Sequence, residues 1–280
     1  MRILVFEGDL RQMYLAKHLE KMKYAVGILH KDEIMGEREK DAAECLRDKV
    51  RAHEVIVLPT PSFTKEGMIR GTDLSFDTLA EMVQEGQMIF GSVIGRERTQ
   101  MLLQKGVKVH DMMASEEVAM RNAVATAEGA IAEAIGLTDG NLHEMSALVI
   151  GYGRCGSVLA QKLKGLCGEV CVTARRKEVR TQAESMGFRA ILLEEWIGDD
   201  FDIIFNTVPA PVLGKKEIGT LKSDCVIIDL ASAPGGVDYE ACADAGIKAK
   251  LCSALPGKYA PKTSGVILAE EIERSIICRN

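Results

Sequence analysis

A glycine motif is the strongest chemical signal in the chain. Residues 151–156 read Gly-Tyr-Gly-Arg-Cys-Gly, after the apolar segment ALVI and before the helical segment SVLAQKLK. Between a strand and a helix, the first glycine permits a tight turn, the second lets the backbone approach a pyrophosphate, and the third permits close packing. The motif predicts a dinucleotide site formed by Gly151, Tyr152, Gly153, Arg154, Cys155 and Gly156. The alternative is a glycine turn in some other α/β protein.

Two arginines stand where the second strand of this unit is expected to end. NAD-preferring sites place an acidic residue there, about 20 residues after the glycines, to bind the ribose hydroxyls. This chain has Arg175 and Arg176 instead, and its first acidic residue is Glu178. Guanidinium groups bind phosphate in a bidentate manner, so the pair predicts NADP as the cofactor, with NAD as the alternative. The other interpretation is that the arginines only begin a solvated helix.

Two later loops are predicted to border the cofactor. Asn206, Thr207, Val208 and Pro209 end a predicted strand, where such a loop passes beside the nicotinamide; a proline that simply ends a strand is the alternative. The small residues that follow Asp229 suit a close backbone approach, and Ala231 is the candidate among them.

Polar residues in two helical segments are further candidates. Asn122 and Thr126 are four apart and would share a helix face, with Glu128 close by. They could present polar groups to a cleft, or they could lie on a solvated surface. The segment 255–263 precedes the last helix, whose N-terminus could hold an anion beside Lys262 and Thr263.

Composition excludes several classes of protein. The 280 residues include 35 basic and 41 acidic side chains, a net charge of −6, which argues against nucleic acid and anionic membranes as partners. No apolar run approaches the ~20 residues of a membrane span, and the first residues predict a strand rather than a signal peptide. The eight cysteines have no metal-binding spacing, so no metal site is expected. They indicate free thiols in a reducing cytosol.

Strands and helices alternate in two series. The strands of the first are predicted at Ile3–Phe6, Ala25–Leu29, Glu54–Leu58, Met88–Ser92 and Val107–His110, with helices at 10–22, 76–85 and 96–104. The strands of the second are predicted at Ala147–Ile150, Glu169–Thr173, Ala190–Leu193, Asp202–Thr207, Cys225–Leu230 and Lys248–Cys252, with helices at 154–165, 177–186, 238–245 and 263–277. A long helix from Ser115 to about Ile135 lies between the two series.

This alternation predicts an α/β fold with two doubly wound, parallel-sheet, Rossmann-like domains joined by the long helix, with a cleft between them. Residues 1–137 would form a substrate or lid domain that includes the bridging helix. Residues 138–280 would form the NAD(P)-binding domain, with the last helix packing back on the first domain.

Several segments, taken together and in order, resemble the family of the dipicolinate synthase A subunit. The matching segments are 8–12 (GDLRQ), 122–129 (NAVATAEG), the glycine motif, 174–175, 206–209, 229–236 (DLASAPGG) and 254–265 (ALPGKYAPKTSG). The second domain alone is similar to the nucleotide-binding domains of shikimate and 2-hydroxy-acid dehydrogenases. Glu7 stands where the family has the first of two glycines, and Ala125 where it often has proline.

The resemblance implies an enzyme of endospore-forming bacteria, in the cytoplasm of the mother cell. Its activity would be the NAD(P)-dependent oxidation of a dihydropyridine dicarboxylate, a lysine-pathway intermediate, to pyridine-2,6-dicarboxylate during sporulation. A flavoprotein-like second subunit, the B subunit of the family, is the implied partner, and assembly into a homo-oligomer is compatible with the sequence.

Such a reaction needs cations for two carboxylates and groups that orient the ring or relay a proton. The predicted substrate-binding residues are Arg11, Arg96, Lys258, Thr263 and Ser264. The predicted catalytic residues are Asn122, Thr126, Glu128 and Lys262.

Two other functions remain open. A shikimate- or hydroxy-acid-type NADP dehydrogenase would act without a partner and would usually need a Lys–Asp or His–acid pair, which the sequence does not locate. The second open function is that of a non-catalytic subunit that binds NADP.

Overall fold

The chain folds into two compact units. The structure, a computed structural model, describes residues 1–30, 39–195 and 200–278. One unit comprises Met1–Ala119 together with Pro261–Asn280, and the other comprises Met120–Ala260. Each unit is built on its own parallel sheet.

The first unit contains a five-stranded sheet with the order β2-β1-β3-β4-β5. Its strands are β1 (Arg2–Phe6), β2 (Ala25–Leu29), β3 (Val55–Val57), β4 (Met88–Gly91) and β5 (Lys108–Asp111). The helices of this part of the chain are α1 (Leu10–Lys21), α2 (Glu39–Arg51), α3 (Phe76–Met82) and α4 (Arg96–Gln104). Strands β3 and β4 are buried throughout, as expected for a parallel sheet with helices on both faces.

The second unit contains a six-stranded parallel sheet with the order β11-β10-β9-β6-β7-β8. The long helix α5 (Glu116–Leu137) precedes it. Its strands are β6 (Ser146–Ile150), β7 (Glu169–Thr173), β8 (Arg189–Ile191), β9 (Ile203–Asn206), β10 (Val226–Asp229) and β11 (Lys248–Leu251). Its other helices are α6 (Arg154–Leu163), α7 (Lys177–Ser185), α8 (Lys215–Ile218), α9 (Tyr239–Asp244) and α10 (Leu255–Tyr259).

The chain reverses direction across the second sheet at β6. From β6 it proceeds to β7 and β8 on one side, and it then returns to β9 on the other side. The carboxyl ends of β6 and β9 therefore form a topological switch point. In open parallel sheets, ligands bind in the crevice at such a point.

The last helix, α11 (Pro261–Ile277), belongs to the first unit. It packs against α1, and a Cβ on Gly265 would lie 2.5 Å from the carbonyl oxygen of Arg11. Ile267, Leu268 and Ile272 are buried in the same core as residues of β1.

The predicted fold class is confirmed: two parallel-sheet α/β units with a long helix between them. The division of the chain differs from the predicted boundary between residues 137 and 138. Ala127, Ala130 and Ala134 of α5 pack into the core of the second sheet, so most of the helix belongs to the second unit. Within the described part of the chain, no helix is both long enough and apolar enough to cross a membrane.

Candidate functional site

The glycine motif forms a tight turn between β6 and α6, and each glycine has its own steric reason. Gly151 has φ +92°, and a Cβ there would lie 2.6 Å from Thr207 Oγ1. A Cβ on Gly156 would collide with the carbonyl oxygen of Gly151. Gly153, the N-cap of α6, has no neighbour within 4 Å of its Cβ position, so its backbone is open to a ligand.

A pocket of about 720 Å³ opens at this turn, entirely within the second unit. Its lining comprises Ile150, Gly151, Tyr152, Gly153, Thr173, Ala174, Arg175, Arg176, Val179, Leu193, Val208, Ala210, Pro211 and Val212. Six of the predicted cofactor-binding residues therefore line one pocket, at the switch point of the sheet.

Arg154, Cys155 and Gly156 of the motif do not line the pocket. Arg154 is exposed, and Cys155 is partly buried. Burial raises the pKa of the Cys155 thiol, and Thr126 of α5 hydrogen-bonds to it. Tyr152 packs edge-on against Phe188, with ring centroids 5.9 Å apart.

Three arginines after β7, at positions 175, 176 and 180, have different roles. Arg175 and Arg176 are exposed and line the pocket. Arg180 instead donates hydrogen bonds from Nη1 to the carbonyl oxygens of Ala174 (2.7 Å) and Arg175 (2.9 Å). It therefore fixes the loop that carries the two pocket arginines.

The loop after β9 contributes mainly through buried hydrogen bonds. Asn206 is fully buried, and its Nδ2 donates to Asp229 Oδ1 (2.9 Å) and to the carbonyl oxygen of Val208 (3.1 Å). Thr207 Oγ1 donates to the carbonyl oxygen of Ile150 (2.9 Å). Of the four residues predicted here, only Val208 lines the pocket, and Pro209 is exposed outside it.

Asp229 organises the loop after β10, and sequence reasoning did not identify it. Its buried carboxylate accepts hydrogen bonds from Ala231 N (3.0 Å), Gly236 N (2.8 Å) and Tyr239 OH (2.8 Å), besides Asn206. Ala231, predicted to contact the cofactor, is buried and uses its N–H in this network. An acidic residue that ends the apolar strand VIID was the available signal.

The geometry of the pocket fits a dinucleotide. A pyrophosphate needs a close backbone approach and N–H donors, and the open Gly153 at the start of α6 offers both. Arg175 and Arg176 lie at the β7 side of the same pocket, where the ribose next to adenine is expected.

The predicted substrate-binding arginines are in the first unit and differ in their surroundings. Arg11 is buried, and its guanidinium bonds to Asp9 (Nη2 to Oδ2, 2.6 Å) and to the carbonyl oxygen of Thr60 (2.6 Å). Arg96 is exposed at the first residue of α4. Arg11 therefore holds the loop after β3, whereas Arg96 presents its charge to solvent.

Lys258 belongs to an ion-pair cluster around the buried carboxylate of Glu133, and the sequence did not reveal this cluster. Its Nζ bonds to Glu133 Oε1 at 2.5 Å, and Lys250 Nζ bonds to Glu133 Oε2 at 2.6 Å. The side chain of Glu133 is only 7% exposed. Hydrogen bonds from the two lysines, with the larger effect from Lys250 and the smaller from Lys258, lower the pKa of Glu133 from about 4.5 to about 2. The cluster joins α5, β11 and α10 within the second unit.

This low pKa predicts a pH-dependent contribution of Glu133 to stability. Because the folded-state pKa is depressed, the stabilisation is present above about pH 4.5 and is lost as the pH falls through about 2. We expect Glu133→Gln to lower the free energy of unfolding at neutral pH by about 2 to 3 kcal/mol. Denaturant unfolding at a series of pH values should show this difference shrinking in acid.

Glu128→Gln is the matched control for this prediction. Glu128 is exposed and pairs with Lys162 at 2.9 Å, so its removal should cost less than about 1 kcal/mol. If Glu133→Gln destabilises the protein by the same amount at every pH down to 2, the stabilisation does not come from the ionised carboxylate of Glu133.

The remaining candidates are distributed over both units. Asn122 is buried, contrary to the solvated alternative, and its backbone carbonyl accepts a hydrogen bond from Thr126 Oγ1 (2.9 Å). Lys262 is exposed in a hollow between α1 and α11, and Thr263 is exposed. Ser264 is fully buried, which differs from the accessible hydroxyl that was predicted, because it lies on the buried face of α11.

The structure thus gathers the cofactor candidates in one place but divides the others. Asn122, Thr126, Glu128 and Lys258 belong to the second unit. Arg11, Arg96, Lys262, Thr263 and Ser264 belong to the first.

A parallel sheet with a glycine turn and an open pocket at its switch point is typical of dinucleotide-binding proteins, a class that includes the nicotinamide-dependent dehydrogenases. Residues 109–254, more than half of the chain, match the family described as the D-isomer specific 2-hydroxyacid dehydrogenase, NAD binding domain. Residues 2–113 match the N-terminal domain of the dipicolinate synthase A subunit. The chain therefore belongs to the dehydrogenase family of that NAD-binding domain, combined with the N-terminal domain found in dipicolinate synthase. It is an oxidoreductase with a nicotinamide cofactor.

Similar proteins agree with this membership and confirm the resemblance found in the sequence. The dipicolinate synthase A subunit of Bacillus subtilis (strain 168) is 28% identical, over 98% of this chain and 95% of that protein. The crystal structure of the dipicolinate synthase A subunit from Bacillus halodurans has a TM-score of 0.84 at 26% identity, covering 98% of this chain and 97% of that one. The crystal structure of the same subunit from Bacillus subtilis has a TM-score of 0.81 at 26% identity, covering 99% of this chain and 96% of that one.

Proposed function

We propose that this chain is the dinucleotide-binding, catalytic subunit of a dipicolinate synthase. It oxidises a dihydropyridine dicarboxylate to pyridine-2,6-dicarboxylate with NADP as electron acceptor, during sporulation and in the cytoplasm of the mother cell. Its partner is a second, flavoprotein-like B subunit. The similarity to dipicolinate synthase A subunits over nearly the whole length supports this assignment.

One observation carries the proposal: a single pocket is lined by the open Gly153 and by two exposed arginines. Gly153 and the N–H groups that begin α6 bind the pyrophosphate. Arg175 and Arg176 bind the 2′-phosphate that distinguishes NADP from NAD. When bound, the nicotinamide supplies a hydride acceptor.

The substrate loses a hydride and a proton as its ring becomes aromatic, so the protein mainly orients the ring and binds its two carboxylates. Arg96, Lys262 and Thr263 are the best candidates for carboxylate binding, since their side chains are exposed. Arg11, Lys258 and Ser264 do not contact substrate in this proposal. Arg11 and Lys258 stabilise their own segments through bonds to Thr60 and Glu133, and Ser264 is buried. Asn122, Thr126 and Glu128 orient the ring or relay the proton.

The test is an assay of purified chain with a dihydropyridine dicarboxylate and NADP, with and without the partner subunit. We expect equal amounts of reduced dinucleotide and dipicolinate, with a faster rate when the partner is present. Lys262→Ala should slow this reaction, and Lys17→Ala, on a neighbouring exposed lysine in the same hollow, is the matched control.

The other outcomes identify other functions. Reduction of the dinucleotide by a hydroxy acid, without the partner, would favour a hydroxy-acid dehydrogenase. Dipicolinate formation that needs the partner but leaves NADP oxidised would favour a non-catalytic subunit.

A further inference from the structure

Three loops at the carboxyl edge of the second sheet are joined by one chain of hydrogen bonds. The glycine turn after β6 is joined to the β9 loop through Thr207 Oγ1, which donates to the carbonyl oxygen of Ile150. The β9 loop is joined to the β10 loop by Asn206 Nδ2, which donates to Asp229 Oδ1 at 2.9 Å. Both side chains of this pair are fully buried.

The carboxylate of Asp229 shapes the β10 loop from within. Oδ1 accepts from Ala231 N near the beginning of the loop, and Oδ2 accepts from Gly236 N at its end. Tyr239 OH, at the first residue of α9, donates to Oδ2 at 2.8 Å. The residues from 230 to 236 therefore wrap around one side chain.

The two loops also touch through their backbones. A Cβ on Gly236 would lie 2.5 Å from the carbonyl oxygen of Ala210 and 2.8 Å from that of Val208. The carbonyl oxygen of Gly236 accepts from Val212 N at 2.9 Å. Val208, Ala210 and Val212 all line the pocket, so a shift of the β10 loop moves one wall of it.

The strand order shows which half of a dinucleotide this wall would contact. A bound pyrophosphate would lie at the glycine turn after β6, and Arg175 and Arg176, after β7, would mark the adenosine side. Strands β9 and β10 lie on the opposite side of β6. The nicotinamide half must therefore extend over the loops that Asn206 and Asp229 hold.

We infer that Asp229, with Asn206 and Tyr239, is a positioning unit that orients the nicotinamide ring of the dinucleotide and leaves the binding of the adenosine half unaffected. This inference rests on the proposed function, because it requires a dinucleotide in the pocket. Asp229 touches neither ring nor phosphate in this arrangement; it acts through the backbone of the β9 and β10 loops. The amide of Asn206 and the hydroxyl of Tyr239 keep its two oxygens in place.

Asp229→Asn tests the inference, because it preserves shape but replaces one acceptor oxygen by a donor. Donors to Oδ1 and Oδ2 then cannot all be satisfied. Affinities are measured by calorimetry for NADPH and for 2′-phospho-ADP-ribose, which lacks only the nicotinamide ring. The fluorescence of bound NADPH reports the surroundings of that ring independently of turnover.

We expect Asp229→Asn to weaken NADPH binding about tenfold, equivalent to about 1.4 kcal/mol, and to change binding of the ring-less fragment by less than about twofold. The fluorescence enhancement of bound NADPH should fall as well. Tyr239→Phe removes a single hydrogen bond and should show a smaller change in the same direction. It also keeps the test valid if Asp229→Asn does not fold.

Asp202→Asn is the matched control. Asp202 precedes the amino end of β9, where it accepts from Ser146 N (2.7 Å) and Lys222 Nζ (2.7 Å), so it lies at the opposite edge of the sheet. It should leave both affinities unchanged. Equal weakening of NADPH and fragment by Asp229→Asn, or no change in either, would overturn the inference alone. Failure of the wild-type protein to bind either molecule would overturn the proposed function with it.

Discussion

Replacing Arg175 and Arg176 together by alanine is expected to weaken NADPH binding about a hundredfold and to change NADH binding less than about threefold. Each guanidinium donates hydrogen bonds to the charged 2′-phosphate, and such a bond contributes about 1.5 to 3 kcal/mol to binding. Because the site is exposed, salt in the buffer reduces this contribution. NADH has no such phosphate, so it does not lose this interaction. Equilibrium binding of both dinucleotides to wild type and variant is the measurement.

Arg189→Ala serves as the control for these arginines. Arg189 is half-exposed in the same unit, pairs with Glu169 at 3.5 Å, and does not line the pocket. It should leave both affinities unchanged. A wild-type protein that binds NADH as tightly as NADPH, or a double variant that loses both equally, would contradict the NADP assignment.

Gly156→Ala is expected to lower the free energy of unfolding by about 3 kcal/mol or more and to abolish dinucleotide binding. The added Cβ collides with the carbonyl oxygen of Gly151, a backbone atom that can move only if the whole turn moves. Overpacking of a rigid site costs about 1 to 3 kcal/mol, and occasionally more. Thermal unfolding and NADPH titration of the purified variant measure both effects.

Gly153→Ala separates the two roles of the motif. Nothing lies within 4 Å of the Cβ position of Gly153, and its φ of −89° is open to alanine. We expect unchanged thermal stability but weaker binding, because the methyl group would occupy the space of the pyrophosphate. If Gly153→Ala binds NADPH as tightly as wild type, the phosphates do not lie beside Gly153.

The sheets were predictable because their strands are short apolar runs between breaks in the pattern. Helix α2 was missed because its sequence, EKDAAECLRDKVR, is mostly charged. Its apolar residues Leu46 and Val50 are four apart and buried, which is a weak signal in so short a segment. Helix α10 was missed because it contains Pro256 and Gly257, which usually break helices. Packing of Leu255 and Tyr259 against Gly129 favours it nonetheless.

The glycine turn was predictable because the motif, the strand before it and the helix after it are contiguous in sequence. The cluster around Glu133 was not, since Lys250 and Lys258 are 117 and 125 residues away along the chain. Only the folded sheet brings them to α5. Lys258 therefore looked like a free cation for substrate, whereas the structure gives it a buried carboxylate as partner. Asn206 looked like a cofactor contact for the same reason, because its partner Asp229 lies on another strand.

Transfer of deuterium from substrate to dinucleotide tests whether the enzyme passes a hydride directly to the nicotinamide. The substrate is prepared with deuterium at its saturated ring carbons, and the products of the complete two-subunit enzyme are analysed by mass spectrometry. We expect one deuterium in the recovered NADPH for each dipicolinate formed. Dipicolinate produced together with unlabelled NADPH, or with no reduced dinucleotide at all, would contradict it.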